Sequence, residues 1–257
     1  MTTTPVVLAD VSKSFGGRTV VDIPSMRIGE HGIEGLIGPN GAGKTTLLKL
    51  ITGAVAMDAG TISYVPASGS AIQVSSVVGP AALADAGLAK TSQIIADFES
   101  LTIIESLLLA CTSPKFERFY RIGMSERVLR AELQPRIAFY LNYFEIEEPD
   151  RYARSAGEKK LVDIIRCLLT SPRLLLLDEP TAGLTDRQRH QVKALLRQKV
   201  EEGEMSVLVI EHDLDLIWEV CDFIHFMAEG QVLVQGTPEE VRQHDTVIGK
   251  YLGSLHA

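Results

Sequence analysis

The sequence predicts an α/β fold in which a mostly parallel sheet is interrupted by a helical insert, and three stretches carry that prediction. Residues 173–180, "RLLLLDEP", are a continuous apolar run ending in acids, the pattern of a strand buried on both faces. Residues 33–53 pass from an apolar segment through "GPNGAGKTT" into "LLKLITG", which reads as strand, glycine-rich loop and helix. Between these stretches, residues 102 to about 150 mix aromatic and charged positions in a mostly helical pattern. This is the insert, and it lies between two α/β halves.

Each element has its own local signal. Residues 6–37 read as short strands and turns. Residues 61–90 are rich in Ala, Ser, Gly and Val, and periodicity assigns little there. Thr102 and Glu105 fit a capping box that opens a helix through "IIESLLLAC". Thr185 and Gln188 fit a second box, after which Val192, Leu195, Leu196 and Val200 share one helical face. "MSVLVIEHD" reads as another buried strand, followed by a helix over 213–221. Thr237 as N-cap, Pro238 at the first helical position and Glu240 closing the box start a further helix.

Bulk properties narrow the function. With 46% apolar and 23% charged residues in 257, the chain supports one large domain, or one domain with a small subdomain. Cys111, Cys167 and Cys221 are odd in number and far apart. That matches neither a metal site nor a disulfide framework, so a reducing compartment is expected. The start "MTTTPVVLAD" shows no basic region followed by an apolar run, so no signal peptide is expected. No stretch approaches the ~20 apolar residues of a membrane span. A net charge of -8 argues against broad nucleic-acid binding, which goes with a basic surface.

Chemistry concentrates in a few motifs. Gly38 to Thr45 fit G-x-x-x-x-G-K-[ST]. Glycines there let backbone N–H groups wrap phosphates, Lys44 can reach the β- and γ-phosphates, and the Thr45 hydroxyl can ligate Mg²⁺. The helix that follows adds the positive end of its dipole. Asp178 can hold Mg²⁺ through water, and Glu179 can act as general base toward the attacking water. His212, just past a buried strand, can contact the γ-phosphate; a lone His is more often a packing or surface residue, and only its company favours the phosphate role. Gln93 could contact Mg²⁺ and water. Phe15 could stack on adenine, or be an ordinary core or turn aromatic. Ser155 and Glu158 form S-x-x-E directly before "KKLVDIIRCLL". That is a capped helix start, whose free N–H groups also suit an anion.

Taken in order, these motifs resemble the nucleotide-binding subunit of an ABC transporter, and the resemblance covers nearly the whole chain. It implies a P-loop NTPase core of the ABC ATPase type, with an N-terminal antiparallel β subdomain and an inserted α-helical subdomain. The chain would be a single domain, 1–257, with 1–93 and 158–257 forming the ATP-binding core and 94–157 the helical part. Under the resemblance Phe15 stacks on adenine, and Gly38, Pro39, Asn40, Gly41, Ala42, Gly43, Lys44, Thr45 and Thr46 form the Walker A loop. Gln93 is the Q-loop residue. Ser155, Gly157 and Glu158 belong to the signature, Asp178 and Glu179 to Walker B, and Gly183 to Asp186 to the D-loop. His212 is the switch histidine. Thr45, Gln93 and Asp178 would serve Mg²⁺, while Glu179, His212 and Gln93 would serve hydrolysis of ATP.

Finer features, among them "GLAKTSQ", "TAGLTD" and "VIEHDLDLIWEVCD", resemble ATPases of branched-chain amino acid, amide and urea importers. The ending is also similar to that of lipopolysaccharide-export ATPases, which keeps a lipid exporter as the alternative, beside a non-transport ABC ATPase. The resemblance implies a second ATPase subunit, permease subunits, a solute-binding protein and a place on the cytoplasmic face of the membrane. The signature, usually LSGGQ, is spelled "RSAGE" here. Arg154 replaces an apolar residue, Ala156 adds a methyl, and Glu158 stands for Gln. The loop reads as functional but weakened. Beside intact Walker residues it suggests an asymmetric heterodimer.

Overall fold

In the computed structural model, the structure describes residues 5–66, 70–74, 80–91, 101–111 and 126–252. Two long strands, β1 (Val6–Phe15) and β2 (Arg18–Ile28), pair antiparallel, where the sequence suggested only short pieces. They join β4 (Ala59–Tyr64) and β5 (Ile72–Gln73) in a sheet of order β2-β1-β4-β5. Val6 and Leu8 alternate into the core, and after a register shift at Asp10, whose φ is 52°, Val11 is buried as well.

The second sheet is mixed. It contains β3 (Ile33–Ile37), β6 (Leu88–Lys90), β7 (Leu174–Asp178), β8 (Ser206–Ile210), β9 (Phe223–Ala228) and β10 (Gln231–Gly236). Their order is β10-β9-β3-β8-β7-β6, parallel from β9 to β6, with β10 antiparallel at the edge. All five residues of β7 are buried. Leu174 and Leu176 enter one core cluster, and Leu175 and Leu177 enter the other. Each such leucine contributes roughly 1.5–3 kcal/mol on burial, and two-sided burial is why the run is unbroken by polar residues.

Helices close both faces. On one side lies α1 (Lys44–Ile51) with the antiparallel sheet. A short helix, α2 (Pro80–Asp85), precedes β6. On the other side lie α3 (Ile103–Cys111), α4 (Glu126–Tyr143), α5 (Ala156–Leu169), α6 (Asp186–Glu201) and α7 (Leu214–Val220). The described part of the insert is mostly helical, as the sequence suggested, up to Tyr143. After α4 the chain turns at Glu145, whose φ is 58°, and residues 144–155 carry no helix. The boxes at Thr185/Gln188 and at Thr237/Glu240, the latter opening α8 (Pro238–Gln243), form with both reciprocal hydrogen bonds. Thr102/Glu105 does the same.

Candidate functional site

The glycine loop starts where β3 ends. Gly38 has φ 150°, and a Cβ there would meet the Met227 carbonyl at 1.8 Å. Gly43, the N-cap of α1, has φ 104°, and a Cβ there would meet the Val20 carbonyl at 2.5 Å. Side chains are therefore excluded, which leaves main-chain groups to line the turn. Asn40 and Gly41 are exposed, Ala42 is buried, and Thr45 and Thr46 are half-buried at the start of α1. Lys44 is buried and donates to the carbonyls of Gly38 at 2.6 Å and Pro39 at 3.0 Å. Burial holds its ammonium below the usual lysine range, and the carboxylates of Asp178 and Glu179 oppose that shift.

Asp178 closes β7 opposite this lysine. Burial pushes its carboxyl above the ordinary range; Lys90 opposes most, Glu179 adds to the rise, and Lys160 and Lys44 oppose. Among the described residues its Oδ2 is buried with no hydrogen-bond partner. With the Lys44 ammonium among the charges acting on it, an orphaned carboxylate oxygen at this strand end suits a hard divalent cation with its water shell.

Glu179 takes φ 49°, a conformation uncommon outside glycine. Its N–H donates to the Ile210 carbonyl at 2.9 Å, which locks the ends of β7 and β8 together. Its Oε1 lies 3.1 Å from Nε2 of His212, and both side chains are nearly half exposed, at 45% and 47%. The two predicted groups thus meet on the open side of the site. Phe15 is 51% exposed at the β1–β2 turn, and Lys13 Nζ sits 5.3 Å from the ring centroid. The ring is therefore not a core aromatic. Gln93 lies outside the described residues.

The predicted signature residues form a second group. Ser155 caps α5 by accepting from the Glu158 N–H at 3.0 Å. The return bond of a capping box goes elsewhere. Glu158 accepts from the Arg154 N–H at 2.7 Å and from both terminal nitrogens of Arg151, at 2.6 and 2.8 Å. That paired guanidinium holds the Glu158 carboxyl below the usual range, against partial burial. A Cβ on Gly157 would meet the Gly183 carbonyl at 2.2 Å. Gly157→Ala is accordingly expected to displace the 183–184 turn and cost about 1–3 kcal/mol. Thermal unfolding checks this, and an unchanged midpoint would contradict the contact.

Two residues of the site escaped sequence reasoning. Lys160, buried on α5, donates to the Asp178 carbonyl at 3.0 Å and so ties the signature helix to β7. Glu211 is 5% exposed and accepts from Thr181 and from the His212 N–H. Glu211 follows the last residue of β8, Ile210, and its partner Thr181 lies 30 residues away, so no local pattern marks it.

Known proteins match along this whole frame. The ABC transporter family model fits residues 21–182. The high-affinity branched-chain amino acid transport ATP-binding protein BraF of Pseudomonas aeruginosa is 32% identical over 252 residues, covering 96% of each chain. LivG of Salmonella typhimurium, described in the same words, is 32% identical over 246 residues, covering 93% of this chain and 94% of its own. Among solved structures, the ADP conformation of MJ1267, an ATP-binding cassette of an ABC transporter, superposes with a TM-score of 0.77. It is 27% identical and covers 97% of this chain and 99% of its own. Sequence and fold agree over nearly the full length, and the chain belongs to the ABC transporter family as an ATP-binding subunit that hydrolyses ATP.

Proposed function

We propose that this subunit powers uptake of branched-chain amino acids or related small polar solutes such as amides and urea. The observation that carries the reading is the 32% identity to BraF and LivG across nearly the entire length. No helix among the described residues is long and apolar enough to cross a membrane. By likeness to these transport ATP-binding proteins, the subunit would sit at the cytoplasmic face through permease partners, with a solute-binding protein delivering substrate to them. Residues 94–157 would form the helical part that meets the permease.

At the site, the backbone amides of residues 38–46 would cradle the phosphates of ATP, with Phe15 stacked on the adenine. Lys44 is already desolvated and faces two carboxylates, so it would exchange loop carbonyls for phosphate oxygens. Thr45, Asp178 and Gln93 would hold Mg²⁺, whose charge neutralises the phosphate oxygens when bound. Glu179 would take the proton of the attacking water, and His212 would hold that water against the γ-phosphate. Ser155 and Gly157 would serve the nucleotide of a second ATPase subunit. The spelling "RSAGE" beside intact Walker residues supports pairing with a different chain.

Gentle solubilisation of membranes holding a tagged copy tests this. A second ATPase with a fuller signature, permeases and a solute-binding protein are the expected company. A lipid-export permease with this ATPase alone would overturn both the importer and the heterodimer.

A further inference from the structure

We propose that Glu211 is a positioning residue for hydrolysis, fixing the base Glu179 and His212 relative to each other from beneath. The inference rests on the reading of Glu179 as the base. Glu211 directly follows β8 and bonds to the turn that leaves β7. Its Oε1 accepts from the Thr181 N–H at 2.8 Å and from the Thr181 hydroxyl at 2.6 Å. Its Oε2 accepts from the His212 N–H at 3.2 Å. One buried carboxylate therefore grips both turns, one carrying Glu179 two residues before Thr181 and the other carrying His212. The reactive ends of Glu179 and His212 reach the open side and meet at 3.1 Å.

The chemistry explains why an acid stands there. Three donors converge on the side chain, and an ionised carboxylate is acceptor-only, so it satisfies all of them. Glu179 needs such support, because its φ of 49° is a conformation that persists only when its surroundings hold it. Glu211 is itself only 5% exposed and its oxygens are occupied. It acts through Glu179 and His212, and touches no reacting atom.

Glutamine keeps the shape but turns an N–H₂ toward the His212 N–H. It preserves the bonds to Thr181 and breaks the third. Alanine breaks all three, and Thr181→Val breaks the hydroxyl bond alone. The variants are to be assayed in the assembled transporter for kcat, for KM and for affinity of a fluorescent ATP analogue with Mg²⁺. The expected result is graded: kcat falls about tenfold for Glu211→Gln and about 100-fold for Glu211→Ala, the scale of a small misplacement of reacting groups. Analogue affinity stays within about twofold, because the lost interaction acts on turnover and not on binding. A folded Glu211→Ala with parental kcat, or a loss confined to affinity, overturns the proposal. If that variant does not fold, Glu211→Gln and Thr181→Val decide by the same criterion. Glu179→Gln is measured in parallel. Turnover surviving there removes the base and this inference with it, whereas a silent Glu179→Gln beside normal Glu211 variants overturns this inference alone.

Discussion

Glu179→Gln is expected to bind ATP, lose turnover and accumulate as a closed dimer. The amide keeps the Oε1 acceptor that meets His212 at 3.1 Å, so local geometry survives while the proton acceptor is gone. General-base catalysis is worth about 10²–10⁴ in rate, and a loss of that size is expected in kcat. The strained backbone at φ 49° is common to both residues and leaves the comparison clean. Phosphate release, together with particle size in the presence of ATP, reads both halves of the prediction. Ordinary turnover would contradict the base assignment outright.

Lys44→Ala is expected to act one step earlier, on binding. The lysine is buried among the Gly38 and Pro39 carbonyls, and its charge is poorly solvated there. Polyphosphate oxygens offer a stronger partner than neutral carbonyls. Hydrogen bonds to charged groups are worth about 1.5–3 kcal/mol, so ATP affinity should fall roughly 10- to 100-fold. The loss also removes two tethers of the loop, which adds to the effect. Titration with a fluorescent ATP analogue checks it, and unchanged affinity would refute the role.

Legibility in the sequence followed the physics of each position. β7 was plain because two-sided burial leaves no polar residue between Leu174 and Leu177. Capping boxes were plain because both partners are local. At Ser155 the box was only half legible. Arg151, seven residues from Glu158, draws the carboxylate away from the return bond, and no local rule shows that competition. The antiparallel sheet was reached through resemblance, since residues 6–37 showed only pieces. Glu34 was invisible for the same reason as Glu211. Each is a fully partnered buried acid, Glu34 accepting from the N–H groups of Gly29, Glu30 and His31 and meeting His225 Nε2 at 2.9 Å. A sequence shows the acid but not the donors that fold around it.

The Arg151–Glu158 pair has a consequence for how this chain can vary. An acid facing a neighbouring molecule's polyphosphate would be repelled, yet here its charge is cancelled within its own loop before any neighbour arrives. The two positions thus form one electrostatic unit. Restoring an amide at 158 alone leaves Arg151 with Glu148, 3.3 Å away, and losing Arg151 alone leaves the Glu158 carboxylate with the Arg154 N–H. Either single step gives up the pair of charge-assisted bonds between the two side chains.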